Sequence, residues 1–246
     1  MTSKYDFMIL KIILLSIAAS FIQRTTGFGF GIFIMTMLPY LMPSYGEATT
    51  LSGLLALTTS FLVTLKMRKM ISWRRLLPVL VTFIIVSAGA ITVLKYLDDE
   101  LLRRVLGIVL VFVSLYFIFF SNRIHIRPSV PAAVGTGAVS GVLGGFFGMQ
   151  GPPVVLYFIN SEPDNEHYMA MAQCYFFLGN IAMTVSRACN GFFTTAVLTD
   201  YIYGLAGIVI GSAIGAVVYK HIPARTLRYI VYGYIGVSGV MLSLTV

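Results

Sequence analysis

Gly144-Gly145-Phe146-Phe147-Gly148-Met149-Gln150-Gly151-Pro152-Pro153 interrupts an otherwise apolar stretch, and Gly27-Phe28-Gly29-Phe30-Gly31 echoes it near the start of the chain. A run of glycines weakens a helix, so each stretch predicts a break. At membrane depth a break leaves N–H and C=O groups that lipid cannot satisfy. Irregular backbone survives there only where protein buries it or where it lines a watery cavity. Two breaks in corresponding places therefore predict one shared cavity. Pro152 and Pro153 lack an N–H and suit the first turn of a helix, so a half-helix is expected to begin there. Its N-terminus would turn free N–H groups and the positive end of its dipole toward the cavity, as broken transporter helices do toward anions.

The composition places these breaks in a membrane. Of 246 residues, 58% are hydrophobic and 11% charged, against about 25% charged in soluble domains. Several apolar runs approach the roughly 20 residues that span a bilayer as helix, and none shows the alternation of a β-barrel strand. The expected fold is an all-α integral membrane protein: a polytopic helical bundle of two repeated halves, each with a glycine-broken first helix. It forms a single transmembrane domain over 1–246, with repeats at about 5–120 and 131–246. The first apolar run lacks a cleavage signature and is read as a span. The net charge of +8 gathers in short loops, notably at Lys66, Arg68, Lys69, Arg74 and Arg75. That clustering serves membrane orientation and does not imply nucleic acid.

Phe7 to Met42 is 36 residues, about 54 Å as one helix, well beyond a hydrocarbon core of roughly 30 Å. The segment must fold back or unwind, which brings Arg24 beside the first break. Spans are expected at 48–65, 76–94 and 102–120, then a linker at 121–131. The second half replays the order, with spans at 167–185, 197–219 and 227–246 and a loop from Arg187 to Thr195. Gly31 meets Gly151 at an offset of 120, Gly89 meets Gly211 at 122, and Leu102-Arg103 meets Leu227-Arg228 at 125. Gly/Pro-interrupted segments in corresponding positions of two halves mark the binding site of a transporter. Full crossing by each broken segment makes the repeat parallel, and a re-entrant hairpin makes it inverted. Either arrangement places ten Lys and Arg against six across the membrane, so charge leaves the choice open. Both put loops 66–75 and 121–131 in the cytoplasm.

The nine acids fall mostly in loops or at span ends. No carboxylate pair is expected mid-membrane, which disfavours cation conduction. Proton or ion coupling stays open, with Glu47, Asp200 or His167 as its carriers. His125, His167 and His221 lack the spacing of a zinc protease, so no catalytic residue, metal or cofactor is expected. Gln173 and Asn180 lie seven apart on one helical face, with Arg187 seven further on; that face would line the cavity, or Gln173 and Asn180 bridge helices by hydrogen bonds. Cys174 reads as a small packing residue.

The first glycine stretch running on to Pro39, the turn Met70-Ile71-Ser72-Trp73-Arg74-Arg75-Leu76-Leu77-Pro78, and the second glycine stretch before Pro152-Pro153 resemble the sulfite exporter TauE/SafE family of membrane permeases. The resemblance covers nearly the whole chain. It implies a multi-pass protein of the bacterial inner membrane that moves sulfite, sulfonates or other small anions, with the lipid bilayer and a small anionic substrate as partners. Homo-oligomerisation is left open. The expected function is a secondary transporter, an exporter of such an anion, with a passive anion channel as the alternative and a non-transporting scaffold subunit as a third reading. The expected substrate contacts are Arg24, Gly29, Gly31, Gly148, Gln150, Gly151, Pro152 and Gln173. Among them Gly148, Gln150 and Gly151 supply backbone or amide donors, Pro152 and Pro153 set the half-helix, and Arg24 adds charge.

Overall fold

The computed structural model describes residues 2–119, 126–218 and 224–244. Arg123, His125, Lys220 and His221 lie outside the described residues. Every long element is helical: α1 (Thr2–Thr26), α2 (Phe30–Ile34), α3 (Leu38–Leu41), α4 (Tyr45–Met67), α5 (Trp73–Leu94), α6 (Asp99–Phe119), α7 (Val130–Phe147), α8 (Gly151–Ser161), α9 (Asn165–Cys189), α10 (Thr195–Val218) and α11 (Ala224–Leu244). Among the described residues six helices are long and apolar enough to cross a membrane. The protein is an all-α polytopic membrane protein.

Local chemistry sets the helix starts. Ser44 accepts the N–H of Glu47 and opens α4, Ser129 accepts that of Ala132 and opens α7, and Asp164 accepts those of Glu166 and His167 and opens α9. Each satisfies donors that the first turn leaves orphaned. α7 stops at Gly148, whose φ of +68° is left-handed and suits glycine.

Small residues set the packing. Gly207, Gly211 and Gly215 of α10 lie against Ile13, Ile17 and Arg24 of α1, so these helices run in the same direction. Gly137, Gly141 and Gly145 of α7 lie against Val79, Phe83 and Ala90 of α5, again in the same direction. Both stripes have the four-residue spacing that lets helices approach closely within lipid. α9 runs against α4, with Phe192, just beyond its end, on Gly46, Arg187 beside Gly53 and Phe177 beside Phe61. α11 runs against α6, with Gly239 on Gly107 and the Ser114 hydroxyl donating to the Tyr232 carbonyl.

These directions define two faces. At one, α4 begins, α9 ends, and the Tyr45 N–H donates to Asp99 at the start of α6. At the other, Arg75 near the start of α5 donates to the Ser161 carbonyl and Glu162 at the end of α8. Since α7 begins beside α5, the α7–α8 segment leaves and returns to the same face, with its glycine break at the tip. α1 to α3 do likewise from the opposite face. The apolar piece expected over 32–42 is two short helices, because Pro39 cannot continue α2.

α9 fails the span criterion despite its 25 residues. It carries Gln173, Asn180 and Arg187, all buried. The expected loop from Arg187 to Thr195 begins only after Cys189, and Arg187 lies inside the helix.

Candidate functional site

The two breaks meet. Gly31, at the start of α2, stands so close to the carbonyl of Gly148 that a Cβ on Gly31 would overlap it. Around this contact lies a cavity of about 30 Å³ lined by residues 28–32 and 148–151 and by Gln23, Ala56, Ser60, Phe176 and Asn180. Ala56 is mid-way along α4 and Phe176 is near the middle of α9, so the cavity sits at mid-depth. Its volume holds one or two waters, which limits its occupant in this conformation to something compact.

α8 points its N-terminus into this space. Pro152 and Pro153 bring no N–H, so the first-turn donors left are those of Gln150 and Gly151. The Gln150 side chain is buried in the cavity wall with no partner for Oε1. A half-turn of the amide exchanges its O and NH2, so the group can present either an acceptor or a donor.

A chain of amides holds the first break. Gln23 Nε2 donates to Ser60 Oγ at 3.2 Å and to Gln173 Oε1 at 3.4 Å, and Gln173 Nε2 donates to the Gly27 carbonyl at 2.7 Å. This satisfies backbone that the break exposes, as membrane depth demands. Phe28 packs on Phe117 of α6, with ring centroids 5.1 Å apart.

Of the expected contacts, Gly29, Gly31, Gly148, Gln150 and Gly151 line the cavity together. Gln173 stands one hydrogen bond behind it. Pro152 lines a separate apolar groove of about 510 Å³ with residues of α6 and α7. Arg24 is exposed, with its Cβ and Cγ on Gly215 of α10. The structure thus sets both apart from the cavity. Phe176 and Gln23 are cavity residues that the sequence pattern does not single out.

Arg187, read in the sequence both on the face of Gln173 and Asn180 and at the start of a loop, lies inside α9 and off the cavity lining. It is fully buried, and its Nη2 donates to the Gly144 carbonyl at 2.9 Å and the Gly145 carbonyl at 3.4 Å, in the last turn of α7. A cation there offsets the negative end of the helix dipole. Its only signal in the sequence was its seven-residue spacing from Asn180 and Gln173.

The acids and histidines fall partly where expected. Glu47 and Asp200 are both buried, on α4 and α10. His167 Nδ1 lies 2.9 Å from the Asp164 carboxylate in the turn before α9, where the backbone and side-chain bonds from His167 hold the Asp164 carboxyl below its usual range. Among the described residues no group of three His, Cys, Asp or Glu could hold a metal.

Residues 12–242 match a family model described as Sulfite exporter TauE/SafE. No curated protein and no solved structure matches the chain. Nearly the whole length is covered by that one match, and the glycine-broken segments it spans meet at a single cavity: the chain belongs to the TauE/SafE sulfite exporter family.

Proposed function

We propose that the protein is a secondary transporter that exports a small sulfur-containing or organic anion, such as sulfite or a sulfonate, across the cell inner membrane. The carrying observation is that two glycine breaks, one from each half of the chain, meet at mid-depth around one cavity into which α8 turns its N-terminus. Family membership supports the substrate class, since the family is one of membrane transporters for sulfite-type anions. Its members are transporters and not enzymes, and this chain is read the same way.

The substrate sits between the backbone of 29–31 and 148–151. Gln150 and Gly151 donate to it, Asn180 and Ser60 close the wall, and Gln173 braces the first break. Pro152 shapes α8 from its outer side. Arg24, on the outer surface of α1, anchors the helix.

The two halves act as an inverted repeat of about 5–120 and 131–246. The helix starts support this: α9 follows α4 by 120 residues (Tyr45, Asn165), α10 follows α5 by 122 (Trp73, Thr195) and α11 follows α6 by 125 (Asp99, Ala224). The pairings support it too, because α1 on α10 becomes α7 on α5 when the halves are exchanged. Alternating access then follows from rocking one half against the other around the cavity.

The test is counterflow in liposomes holding purified protein. Loaded with unlabelled sulfite, they should accumulate labelled sulfite transiently and with saturation. Flux without saturation or counterflow would establish a channel, and no flux for any small anion would leave a scaffold.

A further inference from the structure

α11 and α2 are locked together on one side of the bundle. The ring of Tyr234 stacks on Phe33 with centroids 4.8 Å apart, and its hydroxyl shares a 3.1 Å hydrogen bond with Thr36 Oγ1. The repeat gives each of these residues a counterpart. Gly31 meets Gly151 at an offset of 120, which sends Phe33 to Pro153 and Thr36 to Leu156. Burial keeps the same register: Ile32 and Ile34 are buried, as are Pro152 and Val154, while Phe33 and Pro153 between them are partly exposed. α11 follows α6 by 125, which sends Tyr234 to Val109. The packing of α6 on α11 obeys that offset, since the contact of Gly107 with Gly239 becomes the contact of Tyr232 with Ser114 when the halves are exchanged.

Val109, Pro153 and Leu156 all line the apolar groove of about 510 Å³. Where α11 closes on α2, α6 stands off α8. The groove runs along α7 from Gly135 to Leu143 and reaches Pro152, one residue from Gly151 of the central cavity. One repeat is thus shut and the other open, on opposite sides of that cavity. We propose that the groove is the open form of a gate whose closed form is the contact of Tyr234 with Phe33 and Thr36, and that transport exchanges the two, α6 closing on α8 as α11 leaves α2. The proposal rests on the transport reading and the inverted repeat above, and it adds where each side opens. Acyl chains are as apolar as the groove walls, so closing the groove gains no hydrophobic energy, and a lone hydrogen bond such as that of Tyr234 is modest at membrane depth. Two packings of similar energy are what a switch requires. In the described conformation the side toward the face where α4 begins is shut, and the side toward loop 68–72 stands open. Tyr234 touches no substrate and acts through the position of α11.

The experiment uses the full-length chain in liposomes, with Cys174→Ala and Cys189→Ala as background and Val109→Cys and Pro153→Cys as a pair to be bridged by a short bifunctional thiol reagent that a reductant cleaves. Adding Tyr234→Ala should raise the rate of bridging at least threefold, because it frees α11 and shifts the population toward the closed groove. Bridging should stop sulfite counterflow, and cleavage should restore it. Gly135→Phe is the second test. A Cβ at Gly135 meets nothing within 4 Å, so the ring fills the groove and should cut both bridging and counterflow at least tenfold with the unfolding temperature unchanged. Bridging that ignores Tyr234→Ala, or bridging that ignores Gly135→Phe, would show a fixed groove filled by lipid tails, and the inference falls. If the parent shows no counterflow for any small anion, the transport reading falls, and the response of bridging to the two substitutions still decides the exchange. Should Tyr234→Ala fail to fold, Gly135→Phe decides alone.

Discussion

Gly31 and Gly148, from opposite halves of the chain, are in backbone contact, with no room for a side chain on Gly31. This contact closes the two breaks on each other and fixes the width of the cavity between them. A methyl group at Gly31 meets a carbonyl oxygen, which cannot swing aside as a side chain could. Overpacking of this kind costs about 1–3 kcal/mol and sometimes more. Gly31→Ala should lower the unfolding temperature in detergent and abolish transport. At Gly151 a Cβ would meet only the rings of Phe176 and Phe28, at 3.7 to 3.9 Å. Gly151→Ala should fold as the parent does and alter affinity by a fewfold at most. Equal damage from the two would show that the contact is not the constraint.

Gln173 ties Gly27 to Gln23 and so to Ser60. Gln173→Leu leaves the Gly27 carbonyl without its side-chain donor at membrane depth, a loss of about 1–3 kcal/mol. The expected result is a lower unfolding temperature together with slower transport. Gln173→Glu should restore neither, because a carboxylate offers no donor to Gly27 when ionised.

Arg24 should be dispensable for the substrate. Its side chain is exposed on the outer surface of α1, so Arg24→Gln should leave the affinity for sulfite within about twofold. A tenfold loss would place a substrate path along α1 and α10.

The directions of the helices carry a topological expectation. α11 runs from the face where α8 ends to the face where α4 begins, so a reporter at the C-terminus should lie across the membrane from one in loop 68–72. With the ten-to-six excess of basic residues inside, the loop is cytoplasmic and the C-terminus outside. Both reporters on one side would overturn the fold-back of the broken segments.

At the turn before α9, the depressed Asp164 carboxyl sets a pH dependence. A group whose folded pKa lies below its unfolded value of 3.8 stabilises the fold above that value and loses its contribution as pH falls through the folded value. Thermal unfolding between about pH 3 and 6 should show a smaller acid-induced drop for Asp164→Ala than for the parent, with the variant less stable at the upper end. Parallel curves would remove the carboxylate from the balance.

What the sequence made legible follows from how local each signal is. The break at 144–153 rests on glycine and proline within ten residues, and the fold-back of 7–42 rests on a length that exceeds the bilayer, so both could be read from the chain. The spans begin up to three residues earlier than their apolar runs, because capping by Ser44, Ser129 and Asp164 adds polar first turns. That the two breaks share a cavity could be read from their corresponding places, but the backbone contact of Gly31 with Gly148 could not, since it depends on two distant segments returning to one depth from opposite faces. The burial of Arg187 was hidden for a related reason. It lies two residues from a helix end, where an arginine ordinarily reaches water. Here α7 closes over it, and its side chain runs back along α9 toward the bundle. Arg24 misled in the opposite sense: nearness to a break in sequence is not nearness to the cavity when the helix turns that residue outward.

The pairing of α1 with α10 also governs how the chain is made. Ser20 reaches the Gly207 carbonyl across 187 residues, and synthesis at roughly 5–20 residues per second needs about ten to forty seconds to supply that partner. During that interval α1 stands in lipid without the glycine stripe that will cover Ser16 and Ser20. The Ser20 hydroxyl has an acceptor meanwhile in its own helix, the Ile17 carbonyl at 3.1 Å, which lets the first helix wait in the bilayer until the tenth arrives.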